Sequence, residues 1–181
     1  DLDRILRASH HSDLVRLLAL LTLVIAGSVI LGWLTGSHHL VTLAPGLPTM
    51  KLNTAIAASL LAVALLSLTR DARPTRWSRW LVSGPCAIAS VLAVSALVER
   101  VTGHLHLVDV AILDDRFTPA HSGPPGLMSQ AAAIGLILTA IGIRARSAPL
   151  VLVCSSLAAA IASVAGIAFL LRAGGLSNIP F

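Results

Sequence analysis

The amino-acid sequence predicts an all-α integral membrane protein, a bundle of about five transmembrane helices built from repeated helical hairpins, with the N-terminus in the cytoplasm. Three observations lead there. Of 181 residues, 56% are hydrophobic and only 12% are charged, with a mean hydropathy of +0.88, whereas soluble domains carry about 25% charged residues. The charges fall in short clusters between long uncharged stretches, each near the ~20 residues that carry a helix across ~30 Å of hydrocarbon. An exit-and-loop sequence also recurs along the chain, the mark of a fold assembled from like units.

The apolar stretches read as Leu14–Leu34, Leu52–Thr69, Trp80–Val98, Leu127–Ile143 and Pro149–Leu171. They must be helices, because unpaired backbone groups are costly in lipid and the apolar residues show no period-two alternation. Only Arg16 intrudes, one turn inside the first span, from where its long stem lets the charge reach the headgroups. That first run is too long for a signal-peptide core and lacks a small-residue cleavage site, so it is expected to be retained. Pro85 is expected to kink the third span. Stripes of small residues at four-residue spacing, Ser28-Gly32-Gly36, Ala131-Gly135-Thr139 and Ala158-Ala162-Gly166, are candidate helix contacts. Cys86 and Cys154 lie inside apolar runs, as buried thiols do.

Orientation follows from the basic residues. Arg4, Arg7, Arg16, Arg70, Arg73, Arg76, Arg79, Arg144 and Arg146 flank one side of the spans, and only Lys51, Arg100, Arg116 and Arg172 flank the other. The positive-inside rule then puts the N-terminus in the cytoplasm and the loops 35–51 and 99–126 outside. The formal charge of +5 reads as this topology signal and not as nucleic-acid binding. Trp33, Trp77, Trp80 and Phe169 fall at span ends, where amphipathic rings favour the headgroup region.

The repeat is the most informative feature. Leu34-Thr35-Gly36-Ser37-His38-His39-Leu40-Val41, closing the first span, matches Val101-Thr102-Gly103-His104-Leu105-His106-Leu107-Val108, closing the third, at an offset of 67. A loop with proline and glycine follows each, and then a new helix opens, at Met50-Lys51-Leu52-Asn53-Thr54-Ala55 and at Met128-Ser129-Gln130-Ala131-Ala132-Ala133. The units run over about 14–70 and 80–146, with a third at 149–181 that holds the outward helix and its loop. The whole chain therefore reads as a single transmembrane helical domain, and as one cut before a returning helix.

An outward helix with a glycine-containing exit, a proline-bearing loop and Met50-x-x-Asn53-Thr54-Ala55 opening the return helix resembles the multi-pass N-terminal membrane sensor region of bacterial sensor histidine kinases and diguanylate cyclases. The second copy keeps Met128 and Ala133 but has Ala131 and Ala132 where Asn and Thr stand in the first. The resemblance implies a non-catalytic signal-input module of the bacterial inner membrane, a cytoplasmic kinase or cyclase output domain in cis, and pairing as a homodimer through transmembrane helices within the lipid bilayer. The other class of protein that fits is a membrane-embedded binding or accessory subunit for haem, metal or a small apolar ligand.

Candidate ligand-binding residues follow from the repeat: Thr35, His39, Asn53, Thr54, Thr102 and His106, all expected on the outer side. Asn53 and Thr54 either cap the return helix, whose first N–H groups lack partners, or line a polar pocket at its start. His38, His39, His104 and His106 are the candidate metal ligands, through imidazole coordination or as haem ligands. They could also titrate as a pH sensor. None of their spacings is a metal motif, so solvent-facing imidazoles without a ligand are the competing expectation, and no cofactor is predicted. A catalytic role is not expected, since the chain has no nucleophile elbow, phosphate loop, zinc-protease or dinucleotide motif. The spans also lack the midplane charges of pumps and relays.

Overall fold

The computed structural model describes residues 2–42, 49–70, 76–103, 128–145 and 147–173. They form α1 (Leu2–Thr35), the one-turn α2 (His38–Val41), α3 (Leu52–Arg70), α4 (Arg76–Thr102), α5 (Gln130–Arg144) and α6 (Ala148–Ala173), with no strand among the described residues. Four helices are long and apolar enough to cross a membrane, over Ser12–Thr35, Leu52–Thr69, Arg76–Thr102 and Ala148–Ile167. The fourth apolar stretch of the sequence forms a shorter helix, α5, of 15 residues, about 22 Å at 1.5 Å per residue. Ser129 sets its start, accepting the Ala132 N–H at 3.1 Å, and only residues 145–147 separate it from α6.

Two helices outrun the apolar stretches from which they were read. The first is continuous from Leu2, because nothing between Leu2 and Thr35 breaks a helix: there is no proline, and Gly27 and Gly32 are tolerated. α4 gains a turn at its start and runs unbroken through Pro85, whose missing N–H leaves the Leu81 carbonyl without its usual partner.

Neighbouring helices run up and down. The Trp33 end of α1 bonds to Met50, just before α3, while Arg16, near the middle of α1, donates to the Thr69 carbonyl in the last turn of α3. The two helices are therefore antiparallel, with α3 tied to α1 at both of its own ends. Arg16 also lies 3.8 Å from Asp13. Its guanidinium serves a carbonyl that the end of α3 leaves unpaired, where a cation is favoured. α3 is the central element, packing on α1, α4 and α5, while α6 packs on α5.

The core is built from alanine. Ala57, Leu61 and Ala64 of α3 meet Cys86, Ala89, Ala93 and Ala96 of α4 and Met128, Ala133 and Ala140 before and along α5. Small side chains let backbones approach closely, and in lipid this packing carries helix association that water expulsion cannot drive. The glycine-containing stripes do not make these contacts. Gly135 and Gly166 have open space where a Cβ would stand, Thr139 and Ala162 are exposed, and Gly36 lies beyond the end of its helix. Only Gly32 is tightly packed, and against α2 of its own hairpin, where an added Cβ would lie 2.7 Å from Leu40 Cβ and 2.8 Å from Val41 Cγ2. The stripes fail because spacing alone does not fix which way a face points; the buried face runs through Ala19, Ala26 and Val29 instead.

Gly32→Ala should therefore displace α2 and lower stability by about 1–3 kcal/mol, the cost of overpacking. Gly27→Ala, with nothing within 4 Å of the added carbon, should be neutral or slightly stabilising. Thermal unfolding of both variants in one detergent checks the pair.

Candidate functional site

The site starts from the way α1 ends. Gly36 adopts φ +74°, and the Ser37 N–H returns to the Gly32 carbonyl at 2.9 Å, a glycine-terminated turn that pairs carbonyls otherwise left open. α4 ends in the same manner, with Gly103 at φ +66° and its N–H on the Glu99 carbonyl at 2.8 Å. In both, the preceding threonine turns its hydroxyl back on its own helix: Thr35 to Leu31 at 2.8 Å and Thr102 to Val98 at 2.9 Å. The two threonines are exposed and terminate different helices, each packed on α3.

Beyond Gly36 the chain folds α2 back over Gly32 and seals the hairpin mouth. Val41 is fully buried, its carbonyl accepts the Met50 N–H at 3.1 Å, and the Met50 carbonyl accepts the Trp33 indole N–H at 3.0 Å. Trp33 is only 5% exposed, in a cluster with Ala26, Val29, Val41 and Ala55, against which Met50 and Leu52 pack. It is thus no interfacial belt residue, as the sequence pattern implied. Trp77 and Trp80, at 81% and 69% exposure at the start of α4, do fit that description, and the Phe169 side chain lies outside the described residues. Trp33 turns inward because its N–H has a carbonyl to serve in the hairpin mouth.

Asn53 is buried at 5% exposure between Leu52 and Ala55, both part of this knot. It does not occupy the cap position. α3 starts at Leu52, the Ala55 N–H reaches the Lys51 carbonyl at 3.0 Å, and Lys51 is therefore the cap residue. From the first turn, Asn53 Oδ1 accepts the Thr54 N–H at 2.7 Å and the Thr54 hydroxyl at 3.4 Å, satisfying one of the donors a helix start leaves open.

The histidines stand apart from this knot. His38 and His39 are exposed on α2, and Thr42 engages both the His38 carbonyl and, at 3.3 Å, its Nδ1. His104 and His106 lie outside the described residues. Among the described residues no three His, Cys, Asp or Glu side chains are grouped to hold a metal ion. The structure thus joins Asn53 and Thr54 to Trp33, Val41 and Met50, residues that sequence reasoning left out of the site. The available signal was the tryptophan one turn before a helix-ending glycine.

The two hairpins differ chemically at this mouth, among other places. At matched repeat positions, Gly32 and Trp33 correspond to Glu99 and Arg100, and Asn53 and Thr54 to Ala131 and Ala132. All four distinctive residues of the first hairpin sit at its mouth. No family model, curated protein or solved structure matches the chain.

Trp33→Phe keeps the ring but removes the bond to Met50, and should lower stability by about 0.5–1.5 kcal/mol, with a larger loss if the Met50 carbonyl finds no substitute donor. Thermal unfolding measures it. Tryptophan emission of the variant should lose its most buried component, leaving the signal of Trp77 and Trp80.

Proposed function

We propose that the chain is the non-catalytic signal-input region of a bacterial receptor, set in the inner membrane with a cytoplasmic N-terminus, and that it relays an outer-face signal to a cytoplasmic kinase or cyclase output domain beyond this sequence. The observation that carries this reading is the chemistry of the first hairpin mouth, where a buried tryptophan, a close-packed glycine and a buried asparagine stand at positions that the second unit fills with Arg100, Glu99 and Ala131. A purely structural repeat would have no reason to concentrate a tryptophan, a close-packing glycine and a buried asparagine at a single end. The knot offers hydrogen-bonding groups and an apolar wall, which suits binding.

On this reading all five apolar helices cross the bilayer. The short α5 does so with its flanking residues and some local thinning, a modest cost per ångström of mismatch. The hairpins form a repeat. In its favour, both outward helices end on a left-handed glycine, and Ala55 and Ala133 are both fully buried six residues into their return segments. A signal then acts by favouring one of two packings of α1 against α3, and its effect is bounded by its differential affinity for them.

Topology is checked by single cysteines at exposed positions. An impermeant maleimide on intact cells should label His39→Cys and leave Ser147→Cys unlabelled until the membrane is opened; the opposite pattern reverses the orientation. The receptor reading is checked by the open frame after Phe181, expected to continue through an inward apolar helix into an output domain. A frame with no such domain rules the reading out. In that full-length protein, Asn53→Ala should blunt the output response at unchanged expression, whereas His39→Ala and His106→Ala separate a pH or metal signal from one read by the knot. If all three respond like the parent across pH and added metals, the outer mouth is not the signal site.

A further inference from the structure

α4 is longer than a span requires. Its 27 residues reach about 40 Å at 1.5 Å per residue, against ~30 Å of hydrocarbon, so a bilayer leaves its ends at headgroup depth. The start of the helix holds Arg76, Trp77, Arg79 and Trp80, all exposed, the two indoles by 81% and 69%. It follows the end of α3 at which Arg16 donates to Thr69, away from the Trp33 mouth. Arg16 has Asp13 at 3.8 Å and the Thr69 carbonyl as partners, whereas neither Arg76 nor Arg79 is ion-paired among the described residues. Trp77, Trp80, Gly84, Ala87 and Val91 recur at three- and four-residue steps and so share one side of the helix. Val82, Cys86, Ala89 and Ala93, on the other side, are buried. Ala87 and Val91 are exposed, and a Cβ on Gly84 would meet nothing within 4 Å. An open apolar strip therefore runs down α4 from the two indoles.

We propose that this face of α4 is a docking surface for an anionic phospholipid of the leaflet at that end. Arg76 and Arg79 hold the headgroup phosphate, the Trp77 and Trp80 rings flank the glycerol region, and an acyl chain lies along Gly84, Ala87 and Val91. Charge complementarity names the occupant. Two exposed guanidiniums without a carboxylate partner attract a lipid of net negative charge, and they offer a phosphate paired, charge-assisted hydrogen bonds. The indoles fix the depth, because rings with an apolar body and a single N–H donor settle at headgroup level. An acidic protein segment outside the bilayer would engage the arginines but not the apolar strip beneath them, which lies at hydrocarbon depth. The assignment rests on the membrane-embedded reading above and adds the kind of lipid that the bundle selects.

The test reconstitutes the full chain in nanodiscs of phosphatidylcholine with a minor share of phosphatidylglycerol, placing bromine on the acyl chains of one lipid or the other. At equal mole fraction, brominated phosphatidylglycerol should quench tryptophan emission as if enriched about fivefold per arginine around Trp77 and Trp80, while the buried Trp33 gives the same background in both cases. Arg76→Gln together with Arg79→Gln should remove the preference at unchanged helix content, as should high salt, which screens exposed charges. Arg100→Gln, which removes an exposed charge at the other end of α4, should keep it. Equal quenching by the two brominated lipids in the parent, or a preference that survives loss of both arginines, overturns the proposal. A shift of the indole emission by soluble polyglutamate, with equal quenching by the two lipids, would assign the arginines to an acidic protein segment and overturns it too. These results leave the receptor reading as it stands, since none involves an output domain, whereas tryptophans quenched by neither lipid would place the chain outside the bilayer and overturn both.

Discussion

Buried backbone polar groups where a chain turns between packed helices must find partners within the chain, and the closure from Val41 through Met50 to Trp33 is where this protein meets that demand most visibly. A carbonyl or N–H left buried without a partner costs about 1–3 kcal/mol. Here the Met50 peptide uses both of its groups across the hairpin mouth, its N–H on Val41 and its carbonyl on the Trp33 indole. Because Val41 belongs to α2, the same closure holds α2 down on Gly32, and the absence of a side chain at Gly32 is what gives α2 room. Burial of Trp33, the position of α2 and the start of α3 are therefore one linked arrangement. Arg16, donating to Thr69, ties the opposite end of the same pair of helices.

Behind that closure the bundle is held by repetition of small contacts. In both outward helices the glycine that ends the helix and the alanines that bury against α3 keep the same spacing: Ala26 and Ala93 both stand ten residues before their glycine, and both are at most 1% exposed. Helix end and buried face are fixed together, since each residue advances the helix by a set angle. A unit copied along the chain thereby carries its packing face with it. Where the second unit exchanges Gly32 and Trp33 for Glu99 and Arg100, the scaffold persists but a closure of the first kind has no glycine or indole with which to form.

The helices were legible in the sequence because hydrocarbon thickness imposes a length and lipid imposes apolarity, and both survive in a plain reading of residue types. The glycines at 36 and 103 were legible too, since few other residues adopt a positive φ. Less could be seen of direction. Small-residue spacing selected Gly135 and Gly166, which meet open space, and passed over Ala26 and Ala93, because an alanine-rich helix offers several equivalent stripes and only the neighbouring helix decides among them. Trp33 was assigned to the headgroup region by its place in the chain, but its inward turn depends on a carbonyl 17 residues away. Asn53 was recognised as polar at a helix start, while its step from the cap into the first turn depends on where Lys51 begins the helix, a matter of one or two residues that composition does not encode.

The same closure constrains how a signal of the proposed kind acts. Parting α1 from α3 at the hairpin mouth breaks the Trp33–Met50 bond and leaves a buried carbonyl without its donor, a loss of about 1–3 kcal/mol. An apolar ligand that wedges between the helices bears that loss in full. One that brings its own hydrogen-bond donor to the Met50 carbonyl recovers much of it, and binds the parted state better than the closed one by the same amount. Differential affinity of this size shifts a two-state equilibrium by roughly five- to 150-fold, the usual range of allosteric coupling. The second unit has alanines in place of Asn53 and Thr54 and no indole at the matching position. On the proposed reading, the chemistry of the mouth therefore favours a donor-bearing ligand at the first hairpin.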